Sequence, residues 1–579
     1  MLNIIKGESG SGKTTYITNL LANMVKNGEK NVLYIVPDQS SFDTQRSFLD
    51  LLGPKDSLNI NVQGFTGLCD YIFSVNGSSG KIPLDDGGKA IIMSLAIDEC
   101  QDNLPLFSHT KNKNELINLM LSAVSEYKTC NITSEKILET ASEIEDETLR
   151  TKLKETCLIR DTFDALVSES YVDPDDYITQ GYNSLLENNI FKDYIIALDS
   201  FSGFTNVELE FLSKLMVDAK DFYITVNTDS TNNNELFFTT ERTLNQLKKI
   251  ARDNDMKIAS PIVLAENHRF ETSELIPILK NVYRIEKTSL DQGTNNIILY
   301  ESKNKYTECD FVARNIQQLI IENNYTYQDI AVIYRQDNSY DGIIDSVFDK
   351  YNIPYFMDKE EDIFTKPLIK LVSSILETIN NSYQRENVLN ILKSGLMPFT
   401  SEEISLFENY ILMWDIKGSN FKNDFVDNPQ GLVSDFSDDD RKTLEIINKV
   451  RQGVINPLVD FQLKSKDTTA TTITKNLYNL LLNYNIPESI VSMCENLEES
   501  GNLPLSEEQR RLWEILMNIL DKMINLLSDK KLSLKEYTEL LMLQFNNSTI
   551  AFIPKAMDEV VVSGVERVRM PQKKAVFVI

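Results

Sequence analysis

The chain has 579 residues, 42% of them apolar and 25% charged, and a formal net charge of −28 at pH 7. That length exceeds what one hydrophobic core supports and predicts several domains, about four by size alone, while the charge excludes adhesion of the whole surface to nucleic acid or an anionic membrane, which reward a broad positive field. Two histidines and six widely spaced cysteines (Cys69, Cys100, Cys130, Cys157, Cys309, Cys494) argue against a histidine-rich metal site, a histidine-based triad, or the close cysteine pairs of structural zinc and iron–sulfur sites.

The first predicted element is the apolar strand "LNII", not the basic region and apolar core of a signal peptide. No later stretch nears the ~20 consecutive apolar residues of a membrane span, so a cytoplasmic protein with no membrane partner is expected. "GESGSGKT" follows at once: Gly7, Glu8, Ser9, Gly10, Ser11, Gly12, Lys13 and Thr14 satisfy the phosphate-loop spacing G-x-x-x-x-G-K-[ST]. In such a loop the glycines let backbone N–H groups turn toward phosphate oxygens, the lysine reaches the β and γ phosphates, and the Thr14 hydroxyl ligates magnesium. ATP and Mg2+ are therefore the expected cofactors. Ile17, Leu20, Leu21, Met24 and Val25 then share one helix face, and Gly28 supplies a stop. The N-terminus of that helix adds its partial positive charge at the phosphates.

A second strand is predicted at "NVLYIV" (Asn31 to Val36), and helical periodicity dominates from about residue 85 to 190, as in "KNELINLMLSAVSEY". Strands return at "YIIALD", ending at Asp199, and "DFYITV", ending at Val226. Strands separated by helices predict a parallel sheet covered on both faces, with a nucleotide at its carboxyl edge. Asp199 suits the carboxylate that holds magnesium through water; a helix-capping or turn aspartate would sit at the same place, and spacing alone leaves both open. The next residue, Ser200, cannot act as the base that orients an attacking water. Glu208 is the one weak candidate for that work, so nucleotide binding is better supported than hydrolysis. The acidic runs "EIEDE" (Glu143 to Glu147) and "DFSDDD" (Asp435 to Asp440) are expected to be solvated faces or loops.

Taken together, "GESGSGKT", "VLYIVPDQSSFDTQ" (Val32 to Gln45), "GFTGLCDYIF" (Gly64 to Phe73), "LDDGGKAIIMSLA" (Leu84 to Ala96) and "ALDSFSGFTNVELEFL" (Ala197 to Leu212) resemble the B subunit of the bacterial AddAB helicase-nuclease, the RecBCD-like complex that processes double-strand DNA breaks. The likeness runs along the whole chain, and the intact phosphate loop favours the AddB over the RexB branch. The resemblance implies an α/β, superfamily 1 helicase-like fold of two RecA-like parallel-sheet domains, each with a helical insertion. The first would comprise residues 1–85 and 190–285 with insertion 86–189, the second 295–380 and 551–579 with insertion 381–550. It further implies a heterodimer with an AddA-type motor and nuclease subunit, contact with single- and double-stranded DNA, and the scanning of one strand for a regulatory sequence in recombinational repair. By the same resemblance Arg269, in "LAENHRF", would reach a γ-phosphate, and Arg335 would close the strand "DIAVIYR" of the second nucleotide-facing domain. Without it, Arg269 reads as a surface arginine paired with one of the many acids. Family members continue past this sequence into a nuclease domain secured by a cysteine-ligated iron–sulfur cluster, so the chain is expected to be a fragment whose cluster ligands lie outside it.

The departures from the family's motors matter as much. No sensor glutamine follows "DFYITVNTDSTNN", and "VVVSGVERVRMPQKKAVFVI" lacks the histidine and lysine-glycine pair of the coupling element. The resulting expectation is an ATP-binding helicase fold without motor action; the alternative is an autonomous helicase in which Glu208 supplies the base. Candidate DNA contacts are Phe65 and Thr66 in the helicase-like segment and Arg567 and Arg569, which cluster with Lys573 and Lys574; Tyr71 and Phe73 read as core rings. In the second half, Phe311, Val312, Ile316, Leu319 and Ile320 share a helix face, while Ser506 with Gln509 and Ser533 with Glu536 have capping-box spacing.

Overall fold

In the computed structural model the first apolar runs form β1 (Leu2–Gly7), β2 (Val32–Ile35) and β3 (Ile60–Gln63), followed by the two-residue β4 (Ile82–Pro83) and β5 (Tyr171–Val172), then β6 (Ile195–Leu198), β7 (Asp221–Asn227) and β8 (Ile262–Leu264). The structure describes residues 1–579 apart from 78–81, 111, 229–235, 271–272, 282–293, 295, 336–338, 358–359, 433–435, 552–557 and 566–572. The chain divides into two units: Met1–Leu84, Cys100–Thr110 and Leu119–Glu301 make the first, and Asp85–Glu99, Lys111–Asn118 and Ser302–Ile579 the second.

The main sheet of the first unit has the order β3-β2-β6-β7-β1-β8, and every neighbouring pair is parallel. Its central strands are nearly continuous apolar runs because both faces are covered. Leu2, Ile4, Leu33, Leu198 and Phe222 pack with the helices Phe65–Asn76, Asn206–Asp218 and Phe238–Asp253. Ile5, Tyr34 and Ala197 face the other way, onto the helix Lys13–Lys26 and Phe48 of the helix Ser41–Asp56. Because all the strands run one way, Gly7, Ile35, Gln63, Leu198, Asn227 and Leu264 end at a single carboxyl edge.

Between β4 and β5 the chain is helical. In the first unit, Lys128 of the helix Lys113–Thr129 draws this region together: its Nζ lies 2.7 Å from Asp164, 2.6 Å from Asp173 and 2.6 Å from Asp176. Its side chain is 3% exposed and that of Asp173 only 1%. Burial opposes the charge on Lys128, but the three carboxylates outweigh it and hold the ammonium well above its ordinary pKa.

The described residues of the acidic runs are mostly exposed, as expected of solvated faces and loops, and both runs also mark helix starts. Asp146 caps the helix Glu147–Ser170 by accepting from Thr148 N at 2.8 Å and Leu149 N at 3.1 Å. Ser437 and Asp440 form a reciprocal capping box at the start of Asp438–Lys464. Carboxylates there favour the helix dipole as well as the free amides.

The second unit holds β9 (Ile330–Tyr334), β10 (Tyr355–Met357), β11 (Glu360–Asp362), β12 (Thr468–Thr469), β13 (Lys531–Leu532), β14 (Thr549–Ala551), β15 (Val560–Gly564) and β16 (Ala575–Val578). A parallel sheet of order β10-β15-β9-β16 packs under the helices Lys305–Asn323 and Ile343–Lys350 through Val312, Ile316, Val347 and Phe348. The small pairs β11 with β14 and β12 with β13 are antiparallel. Helices predominate from Pro367 to Asn546. The helix Asp86–Cys100 also lies largely in this unit: Asp85 accepts from Lys522 Nζ at 2.6 Å and Gln544 Nε2 at 3.2 Å. A Cβ on Gly87 would fall 2.3 Å from Gln544 Nε2, so a larger residue there would displace the amide that bonds Asp85.

Ser533 and Glu536 form the expected capping box. Ser506 and Gln509 do not. The helix begins earlier, at Leu503, with Pro504 in its first turn, and the Ser506 hydroxyl donates to Glu498 Oε1 at 2.7 Å; proline's fixed φ suits the helix start and moves it upstream. No described helix is long and apolar enough to cross a membrane.

Candidate functional site

The loop after β1 takes its shape from two left-handed glycines, Gly10 at φ +83° and Gly12 at φ +80°, a conformation that L side chains resist. The helix then starts at Lys13, with Gly12 as an N-cap that supplies no side-chain bond and no acid in the first turn. Its leading amides thus have neither intrahelical acceptors nor a carboxylate cap, which is the arrangement that attracts an anion. Ser11 Oγ is buried with no hydrogen-bond partner among the described residues, and a Cβ on Gly7 would sit 2.3 Å from it. Lys13 folds back over the loop, donating to Gly7 O at 3.0 Å and Glu8 O at 2.7 Å. Burial brings its pKa down to about 8; Asp199 opposes that fall, Arg269 adds to it, and Glu8 opposes it.

Asp199 stands just past β6 and is 3% exposed. One carboxylate oxygen accepts from Thr14 Oγ1 at 2.7 Å and Ser200 Oγ at 3.1 Å; the other accepts from Thr225 of β7. Thr205, not Asp199, caps the following helix, and Asp199 faces the phosphate-loop threonine. The buried phenol of Tyr34 lies near it, and burial together with this carboxylate raises the Tyr34 pKa well above its ordinary value. Ser200 adopts a left-handed φ of +67°, rare for a residue with a side chain, and turns its hydroxyl onto Asp199.

The segment after β8 lies against the same loop. Asn267 Nδ2 donates to Ser9 O at 3.1 Å, His268 N to Gly10 O at 2.8 Å, and Arg269 Nη1 to Ser9 Oγ at 3.0 Å. Asn267 Oδ1 accepts from Arg269 N at 3.0 Å, so one side chain shapes both the loop and the turn that carries the arginine. The structure therefore brings Gly7 through Thr14, Asp199 and Arg269 together within the first unit.

The remaining candidates fall elsewhere. Glu208 spends its carboxylate on its own helix, accepting from Thr205 N at 2.7 Å in a capping box. Phe65 does not offer a stacking face, contrary to expectation: it is 4% exposed, and its ring meets Phe201, Phe204 and Phe211 edge-on. The apolar face of the helix Phe65–Asn76 draws it into the core. Thr66 is exposed and donates to Asp38 at 3.3 Å. Tyr71 and Phe73 pack on Phe191 and Tyr177, as core rings. Arg335, exposed, follows β9 in the second unit. Arg567 and Arg569 lie outside the described residues. Their neighbours Lys573 and Lys574 bind Gln328 O at 2.5 Å and Asp329 at 2.9 Å, and the Lys574 bond helps hold the Asp329 pKa down to about 2. Asn267 and Thr225 were missed from the sequence, although an asparagine two residues before an arginine after a strand is a turn signal.

Residues 4–279 match the family model described as ADDB, N-terminal, and residues 262–550 match the UvrD-like helicase C-terminal domain. Similar proteins include the B subunit of the ATP-dependent helicase/deoxyribonuclease of Clostridium acetobutylicum, 29% identical over 100% of this chain and 51% of its own length, and that of Clostridium novyi, 30% identical over 99% of this chain and 50% of its own. The protein of the same name from Clostridioides difficile is 29% identical over 100% of this chain and 51% of its own length. The chain thus spans about half the length of the curated relatives it matches. With parallel α/β sheets and a helicase-type match across its second half, the chain has a superfamily 1 helicase-like fold; its first half matches the AddB N-terminal family, and its whole length is similar to the B subunits of ATP-dependent helicase/deoxyribonucleases.

Proposed function

We propose that the first unit holds magnesium-ATP without driving translocation, and that the chain serves as the DNA-contacting, ATP-binding part of a break-processing helicase-nuclease. In this reading it works in the cytoplasm in a heterodimer with an AddA-type motor subunit and scans single-stranded DNA for a regulatory sequence during recombinational repair. In the same reading the two helicase domains comprise residues 1–85 with 190–285 and residues 295–380 with 551–579, and their insertions residues 86–189 and 381–550. The nuclease domain and its iron–sulfur cluster are assigned to the portion of the relatives that this chain does not span.

The observation that carries the reading is the hydrogen bond of 2.7 Å from Thr14 Oγ1 to Asp199, beside a lysine already folded over an uncapped helix start. These residues fit the group: the first-turn amides, the glycine-shaped loop and the unpartnered Ser11 Oγ are donors suited to phosphate oxygens. Lys13 would bind the β and γ phosphates, Arg269 the γ-phosphate, and Thr14 with Asp199 would hold magnesium, whose chemistry is to neutralise phosphate charge. For hydrolysis a water needs an orienting carboxylate. Ser200 provides none, and Glu208 is committed to its helix. That weighs against the alternative of an autonomous helicase.

The test is nucleotide binding and turnover, with and without single-stranded DNA, on this chain and on a full-length relative with its partner. We expect saturable magnesium-ATP binding that Lys13→Ala abolishes, with slow or no DNA-stimulated turnover by the chain alone. Robust unwinding by the chain alone, lost in Glu208→Gln with binding intact, would instead establish the autonomous helicase.

A further inference from the structure

Ser9 occupies one of the positions that the phosphate-loop pattern leaves free, yet the segment after β8 converges on it. The backbone part of that contact is fixed. Asn267 donates to Ser9 O at 3.1 Å and His268 N donates to Gly10 O at 2.8 Å. Packing is close enough that a Cβ on Gly10 would lie 2.7 Å from Arg269 Cβ and 3.0 Å from Asn267 Nδ2. The base of Arg269 is therefore anchored, while its exposed guanidinium reaches Ser9 Oγ at 3.0 Å.

A neutral hydroxyl is a weak partner for a guanidinium compared with a phosphate group, which is charged and whose oxygens can accept two parallel N–H bonds. Lys13 lies near enough that the Arg269 charge lowers its pKa, so two cations meet beside the loop. Resting on the nucleotide-site reading above, we propose that the Ser9–Arg269 hydrogen bond is a resting latch. Arg269 stays on Ser9 when no third phosphate is present and transfers to the γ-phosphate of a bound nucleoside triphosphate. Ser9 is then a specificity-determining residue: its hydroxyl competes with the triphosphate for Arg269 and leaves a diphosphate unaffected.

Competition from a resting contact raises the apparent Kd by the population it holds. Removing the contact should therefore tighten binding, the reverse of what loss of an ordinary ligand contact does. Calorimetric titration with magnesium and either ADP or the β,γ-imido analogue of ATP tests this on the 579-residue chain. Ser9→Ala should bind the triphosphate analogue about 3- to 10-fold more tightly than the unaltered chain, with ADP affinity unchanged. Arg269→Ala should bind the analogue about 10-fold more weakly, again with ADP unchanged. The double variant should match Arg269→Ala alone within about twofold, because the latch has no effect without its arginine. Weaker or unchanged analogue binding by Ser9→Ala, an equal effect on ADP, or simple additivity in the double variant would each overturn the latch while leaving nucleotide binding intact. If the unaltered chain binds neither nucleotide, both the latch and the site reading fall together.

Discussion

Two lysines of the first unit, the half-buried Lys13 and the buried Lys128, sit in opposite electrostatic settings. Lys128 is surrounded by three carboxylates within 2.7 Å and is held charged. Lys13 has two backbone carbonyls as its hydrogen-bond partners and is brought down to about 8. The first ammonium is over-compensated and serves the fold; the second is under-compensated and suits an anion that arrives from outside. Lys13 opens its helix and Lys128 lies in the last turn of its own; the difference lies in their partners, the carboxylates of Asp164, Asp173 and Asp176 for Lys128 and the carbonyls of Gly7 and Glu8 for Lys13.

The largest expected effect breaks the structural side of this contrast. Lys128→Met leaves three clustered carboxylates without their cation and should cost about 3–5 kcal/mol in urea unfolding of the first unit. Lys13→Met should change stability by no more than about 1 kcal/mol, since it removes a desolvated charge with neutral partners, and yet should lower nucleotide affinity by at least about 100-fold. Equal destabilisation by the two changes would erase the distinction.

The pH dependence sharpens it. The folded-state pKa of Lys13, about 8, lies below its ordinary value of 10.5. Its charged form therefore opposes folding at neutral pH, and this penalty is relieved as pH rises from about 8 to 10.5. For Lys128 the shift is upward, so its contribution is fully present below 10.5 and is lost as pH climbs through the raised folded value. Nucleotide affinity follows Lys13. A bound polyphosphate raises its pKa, so affinity should be highest below pH 8 and fall as pH rises from 8 to 10, with proton uptake on binding. Lys13→Arg should flatten that profile. Titrations across this range in buffers of different ionisation enthalpy measure both quantities.

The smallest effect concerns Glu208. Glu208→Gln should cost about 0.5–1 kcal/mol through its weakened capping box and leave nucleotide affinity unchanged, as read by thermal unfolding and titration. A larger change in affinity than in stability would return Glu208 to the site.

What could be read in the sequence was what neighbouring residues determine. The phosphate loop, the strand before it, the helix to Gly28 and the apolar strand ending at Asp199 are local patterns, and the structure has each of them. The contacts that give these residues their settings join distant segments. Phe65 looked available because its polar neighbours resemble a binding segment, but Phe201, Phe204 and Phe211 enclose it. Asn267 meets Ser9 across 258 residues, and no periodicity signals such a pairing. Ser506 had the spacing of a cap, but Pro504 started the helix before it. The left-handed Ser200 was equally hidden, because nothing in its residue type requires positive φ.

The central claim is that Lys13 is left short of negative charge so that a polyphosphate can supply it. Calorimetric titration of the chain with magnesium and the β,γ-imido analogue of ATP at pH 8 tests it most directly. The account predicts saturable binding accompanied by proton uptake, both lost in Lys13→Ala. Binding that survives Lys13→Ala, or occurs with no proton uptake, would contradict it.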